Sequence, residues 1–89
     1  MRFLVQHQGG IDEAFDVDYA TNLSHSGLFI STHKALTPQS TLHVQFAPKK
    51  DAQLVSAFCL VTDVSAEGVN ARFVSLDAES ERLIAQALA

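Results

Sequence analysis

Apolar and polar residues alternate along most of this chain with a period of two, the pattern of strands that cover a core with one face. Val17, Tyr19, Thr21 and Leu23 fall on one side of such a segment and Asp16, Asp18, Asn22 and Ser24 on the other. Asn22 and Ser24 are therefore expected to point the same way from a strand that begins at about Phe15. Leu42, Val44 and Phe46 alternate with His43 and Gln45, and Val69, Ala71 and Phe73 alternate with Asn70 and Arg72. One segment is apolar on both faces. Leu28, Phe29 and Ile30 lie in a predicted strand from Gly27 to Thr32 that reads as covered on both sides. Gln53 to Val64, with no Gly or Pro, fits a long bent strand that places Val55, Ala57, Cys59 and Val61 on one face. With Arg2 to Gln6 as a first strand, about six strands result.

The connections follow from turn chemistry. Gln8-Gly9-Gly10 reads as a loop, residues 33–40 with Pro38 as a connection, and both Pro48-Lys49-Lys50-Asp51 and Ser65-Ala66-Glu67-Gly68 as turns. Ile11 to Asp16 is ambiguous: Ile11, Ala14 and Phe15 suit one helical turn, while the residues from Phe15 onward alternate. After Asp77 the period changes. Leu83, Ile84, Ala87 and Leu88 form a helical stripe, and Glu79 and Glu81 sit near the positive end of the dipole. This predicts a helix from Ala78 to Ala89 with Asp77 as its N-cap. Short strands with turn signals about every ten residues suggest a small barrel or sandwich, and a barrel also removes exposed edges.

Composition narrows the function classes. The 89 residues make one domain, 1–89, and a hydrophobic fraction of 47% excludes a disordered chain. No run approaches the roughly 18 apolar residues of a membrane span, and Met1 to Val5 is too short for a secretory signal. The lone Cys59 within an apolar run reads as a buried small hydrophobe, consistent with a reducing, cytoplasmic setting. The net charge is −4, with three arginines and three lysines scattered along the chain, so no basic stripe exists to neutralise phosphates, and nucleic acid is not expected as a partner.

Catalytic and metal chemistry find little support. His7, His25, His33 and His43 lack the close pairing of metal ligands, and no metal site is expected. Ser24 and His25 are neighbours on a strand pattern and would point apart, and no nucleophile elbow surrounds them. Glu79 and Glu81 read as a solvated helix end. The expectation is a protein that is not an enzyme.

The feature that stands out is Asn22-Leu23-Ser24-His25-Ser26-Gly27, an amide and a hydroxyl beside a residue without Cβ, set between two predicted strands. The pattern Asn-x-Ser-x-x-Gly resembles the second signature of the bacterial PilZ domain family. The likeness extends to Tyr19-Ala20-Thr21 before it, Leu28-Phe29-Ile30 after it, Leu36-Thr37-Pro38, and Gly68-Val69-Asn70-Ala71-Arg72-Phe73 near the end. It covers roughly residues 15–88 and is similar to the PilZ-like paralogues of myxobacteria and their relatives. The resemblance implies a mainly β fold, a six-stranded antiparallel PilZ-type barrel with a C-terminal α-helix. It also implies cyclic di-GMP as the family's ligand, with Asn22, Ser24 and Gly27 as candidate contacts and Arg2 and His25 as further candidates. Bacterial motility, polarity or cell-surface regulation is the implied setting.

In the family two arginines in an R-x-x-x-R segment before the first strand hold the nucleotide. This chain has no such segment: Arg2 is the only arginine before Arg72, and four residues after it stands Gln6. A hydrogen bond from a charged donor contributes about 1.5–3 kcal/mol. Losing two forfeits about 3–6 kcal/mol, which takes a ligand held at about micromolar affinity to the millimolar range or weaker. Asp12, Glu13, Asp16 and Asp18 shortly before the motif would add a smaller repulsion. Asn22 and Ser24 can equally serve as caps of the turn at Gly27. The sequence therefore favours an interaction module that contacts a protein and binds cyclic di-GMP weakly or not at all. The alternative is a cyclic di-GMP receptor using Asn22, Ser24 and Gly27.

Overall fold

In the computed structural model, which describes residues 2–10, 13–48 and 53–89, six strands precede one helix. They are β1 (Phe3–Gln8), β2 (Asp16–Thr21), β3 (Gly27–Ser31), β4 (Thr41–Phe46), β5 (Val55–Ser65), β6 (Gly68–Ser75) and α1 (Ala78–Leu88). The strands close into a barrel in the order β1-β2-β3-β6-β5-β4, every pairing antiparallel. Closure gives each strand two neighbours, so backbone pairing leaves no free edge.

Alternation sends one face of every strand inward. Val5, Ala20, Ile30, Val44, Val55, Cys59 and Val61 fill the interior, each at most 1% exposed. Phe46 lies between Phe3 and Phe73, with ring centroids 5.3 and 6.3 Å away, a spacing that suits aromatic packing. The predicted face of Val55, Ala57, Cys59 and Val61 is the buried one. β5 bends through register shifts near Phe58/Cys59 and Val61/Asp63, the bulges a long strand needs to follow a tight barrel.

The register of β1 with β2 turns the polar side of β2 inward, pairing Val5 with Asp18 and Phe3 with Ala20. Val17 and Tyr19 face outward, 56% and 43% exposed. The inward carboxylate has a partner. His7, fully buried, places Nε2 2.8 Å from Asp18, and its Nδ1 is buried with no hydrogen bond among the described residues. A buried polar ring needs such an acceptor, which explains why an acidic residue stands on the inside here.

Asp77 caps α1 as its sequence predicts, its carboxylate accepting the Ser80 N–H at 2.7 Å. The helix packs against β5. Leu83 and Ile84 are buried and Ala87 half-buried, but Leu88 is 40% exposed, so the stripe is covered along only part of its length. The possible helical turn beginning at Ile11 and the turn at Pro48 to Asp51 lie partly outside the described residues.

Candidate functional site

β2 stops at Thr21, three residues before the expected end. Asn22 takes φ 57°, the left-handed conformation that asparagine tolerates better than most residues. The strand alternation therefore breaks at Asn22, and it does not bring Asn22 and Ser24 to one side as the sequence suggested. A compact turn does so instead. The Ser24 N–H donates to the Gly27 carbonyl at 2.9 Å, and Ser24 Oγ accepts from the backbone N–H groups of Ser26 and Gly27 at 3.2 and 3.3 Å. Ser24 Oγ also lies 3.0 Å from Ser26 Oγ. Ser24 is thus the cap of the turn, as a serine competing for local backbone groups is suited to be.

Gly27 opens β3 without positive φ; among the described glycines only Gly68 has it, at 152°. What Gly27 supplies is closeness. It pairs with Arg72, and a Cβ on it would collide with the Ala71 carbonyl oxygen. The Ser26 carbonyl accepts the Phe73 N–H at 2.8 Å, locking the turn to β6.

Asn22, Ser24 and Gly27 line one shallow groove of about 270 Å³, together with Thr62, Asn70 and Arg72. Arg72 is the residue that sequence reasoning missed. Its outward direction follows from the alternation after Gly68, but its place beside the motif depends on the β3–β6 register, which strand patterns do not reveal. Among the described residues Arg72 makes no ion pair, whereas Lys34 pairs with Asp16 at 2.7 Å and Arg82 with Glu79.

The two further candidates lie elsewhere. The Arg2 guanidinium stands 4.1 Å above the Tyr19 ring on the outer face of β2, a cation–π contact. His25 faces a different groove of about 450 Å³, lined by Leu76, Glu81, Arg82 and Ile84 between the turn and α1. Of the acidic residues before the motif, Asp12 lies outside the described residues, and Asp18 turns inward to His7. Asp16 lies at the opposite end of β2, roughly 20 Å from Asn22 at about 3.3 Å per residue, beyond a Debye length. Hydrogen bonding and charge from Lys34 hold the Asp16 carboxyl below its ordinary value and raise the Lys34 ammonium. Asp16 therefore adds little repulsion at the motif, whereas the Asp63 carboxylate lines the same groove. Among the described residues no group of three or more His, Cys, Asp or Glu could hold a metal ion.

Comparison with known proteins gives a consistent result. The structure of the Bacillus subtilis inhibitor of motility, MotI/DgrA, superposes with a TM-score of 0.81 at 12% sequence identity, covering 99% of this chain and 46% of that one. The chain thus spans about half the length of that neighbour. No curated protein sequence matches. The family model for the PilZ domain matches residues 3–89, nearly the whole chain, and with the closed barrel, the C-terminal helix and the Asn22, Ser24 and Gly27 turn in place, the chain belongs to the PilZ domain family.

Proposed function

We propose that this protein is a non-enzymatic regulatory module of the PilZ type that acts by contacting a protein partner through the groove around Asn22, Ser24 and Gly27. The observation that carries this reading is the state of the motif: its residues converge on one surface, yet the Ser24 hydroxyl is already engaged in the turn, and among the described residues a single arginine, Arg72, lines the groove with it. A rigid turn on a closed barrel is a suitable platform for a protein contact. The motility inhibitor with the same fold supports a place in bacterial motility or cell-surface regulation. A cytoplasmic site of action agrees with this reading, and no described helix is long and apolar enough to cross a membrane.

A second reading, a cyclic di-GMP receptor using Asn22, Ser24 and Gly27, is favoured by one observation. Arg72 supplies a guanidinium in the same groove. One charged donor contributes about 1.5–3 kcal/mol, half of what an arginine pair provides. From about micromolar affinity with the pair, the protein is therefore expected to bind the nucleotide no more tightly than roughly ten to a hundred micromolar. Calorimetry with cyclic di-GMP at tens of micromolar protein decides between the two, as a rough working concentration for detecting such affinities. Little or no heat supports the interaction module. A saturable low-micromolar isotherm that Ser24→Ala abolishes would install the receptor reading in its place.

A further inference from the structure

Among the described residues Arg72 makes no ion pair. The chain carries a net charge of −4, and Lys34 and Arg82 are held by carboxylates of their own. Arg2 lies over an aromatic ring. Arg72 is exposed on β6, directly opposite Gly27. That neighbour has no side chain, so the guanidinium is unscreened on the β3 side and open to a group lying flat against the strands. Around it the groove offers neutral hydrogen-bonding groups from Asn22, Asn70 and Thr62.

We infer that the groove receives an acidic segment of the protein partner, with a carboxylate on Arg72 and its neighbouring polar atoms on Asn22 and Asn70. The inference rests on the interaction-module reading and names the partner's chemistry. Charge complementarity selects it. A guanidinium fork matches a carboxylate bidentately, and the overall negative charge is screened beyond roughly 8–10 Å at physiological salt, so the local cation decides what docks. Asp63 marks the limit of the site. It lines the same groove and pairs with Asn70, one pleat along β6 from Arg72, or about 7 Å. A run of acidic residues continuing past Asn70 would meet it, so the segment presents its carboxylate at the Gly27 end and an uncharged or basic residue at the Asp63 end.

The test is a titration of the folded protein, followed by backbone amide NMR, with a blocked tetrapeptide Glu-Ser-Gly-Lys as probe and its Gln-Ser-Gly-Lys counterpart as control. Saturable shifts confined to residues 24–27 and 70–72 are expected with the first peptide and not the second. Arg72→Gln should weaken them roughly tenfold or more, the scale of one charge-assisted contact, and Arg72→Lys should restore part of the binding. Identical shifts with both peptides, shifts away from this groove, no shifts, or binding unaffected by Arg72→Gln would each overturn the inference. Low-micromolar binding of cyclic di-GMP to the same amides would overturn it too, by returning the groove to a nucleotide. The underlying reading fails separately, if Asn22→Ala with Ser24→Ala leaves cellular function intact. Loss of function in that double variant, with Arg72→Gln fully active, would retain the reading and reject the acidic partner.

Discussion

Gly27 shows how one residue ties the motif to the barrel. Because a Cβ there would run into the Ala71 carbonyl, Gly27→Ala must push β3 from β6, and a loss of about 1–3 kcal/mol is expected in urea unfolding, the usual scale of overpacking. Cys59 is a simpler case. Its side chain is fully buried, and burial pushes the thiol up to about 12, so the native protein should resist labelling by a thiol reagent and react only when denatured. Rapid labelling of the folded state would mean that β5 does not stand as described. Asp77 gives a pH dependence with a definite sign. The Ser80 backbone N–H, and then its hydroxyl, hold the Asp77 carboxyl below its ordinary value of 3.8. A carboxyl depressed in the folded state contributes stability above its unfolded pKa and loses it as pH falls toward the folded one. Helix content followed by circular dichroism should therefore decline on acidification through the carboxylate range. Asp77→Asn, which still caps, should remove that part of the decline, and Asp77→Ala should cost about 1 kcal/mol at neutral pH.

At the scale of elements, α1 is both a structural and a candidate contact surface, and burial separates the two. Leu83 and Ile84 lie in the core cluster, whereas Leu88 is 40% exposed. Leu83→Ala should cost about 2–5 kcal/mol, and Leu88→Ala well under that, in the same thermal or urea assay. Strands β4 to β6 and the helix were legible in the sequence because their alternation or 3.6-residue stripe coincides with burial. β2 was only half legible. Its period of two was plain, yet its apolar Val17 and Tyr19 face outward while Asp18 faces in, because the buried His7 needs a carboxylate and no periodicity encodes a partner on another strand. The end of β2 was missed for a related reason. The left-handed turn at Asn22 is set by the backbone hydrogen bonds of Ser24 and Gly27, whereas the residue pattern simply continues through it. Removing the partner of the buried ring checks this account of β2: Asp18→Ala should destabilise by about 1–3 kcal/mol, since it leaves a buried polar group unsatisfied.

For the whole molecule, the choice of barrel over sandwich was not legible in the strands themselves, which suit either, and came from the likeness of the Asn22 to Gly27 and Gly68 to Phe73 segments to the PilZ family. The site was legible as far as residues near one another in sequence define it. Arg72 joins it through the pairing of β3 with β6, a non-local neighbour in the barrel order, which makes a cation from the end of the chain a neighbour of a turn near its beginning. The pairing of β1 with β2 brings Arg2 over Tyr19, and His25 lines the groove beside α1 rather than this one. The regulatory role rests on that groove being a contact surface rather than a turn alone. The most direct measurement is complementation by Asn22→Ala with Ser24→Ala in cells from which the protein has been deleted, in a variant shown to keep its stability within about 1–2 kcal/mol of wild type, the scale of the lost turn hydrogen bonds. The account predicts a folded protein that fails to restore the behaviour lost on deletion. Full restoration by the folded double variant would contradict it.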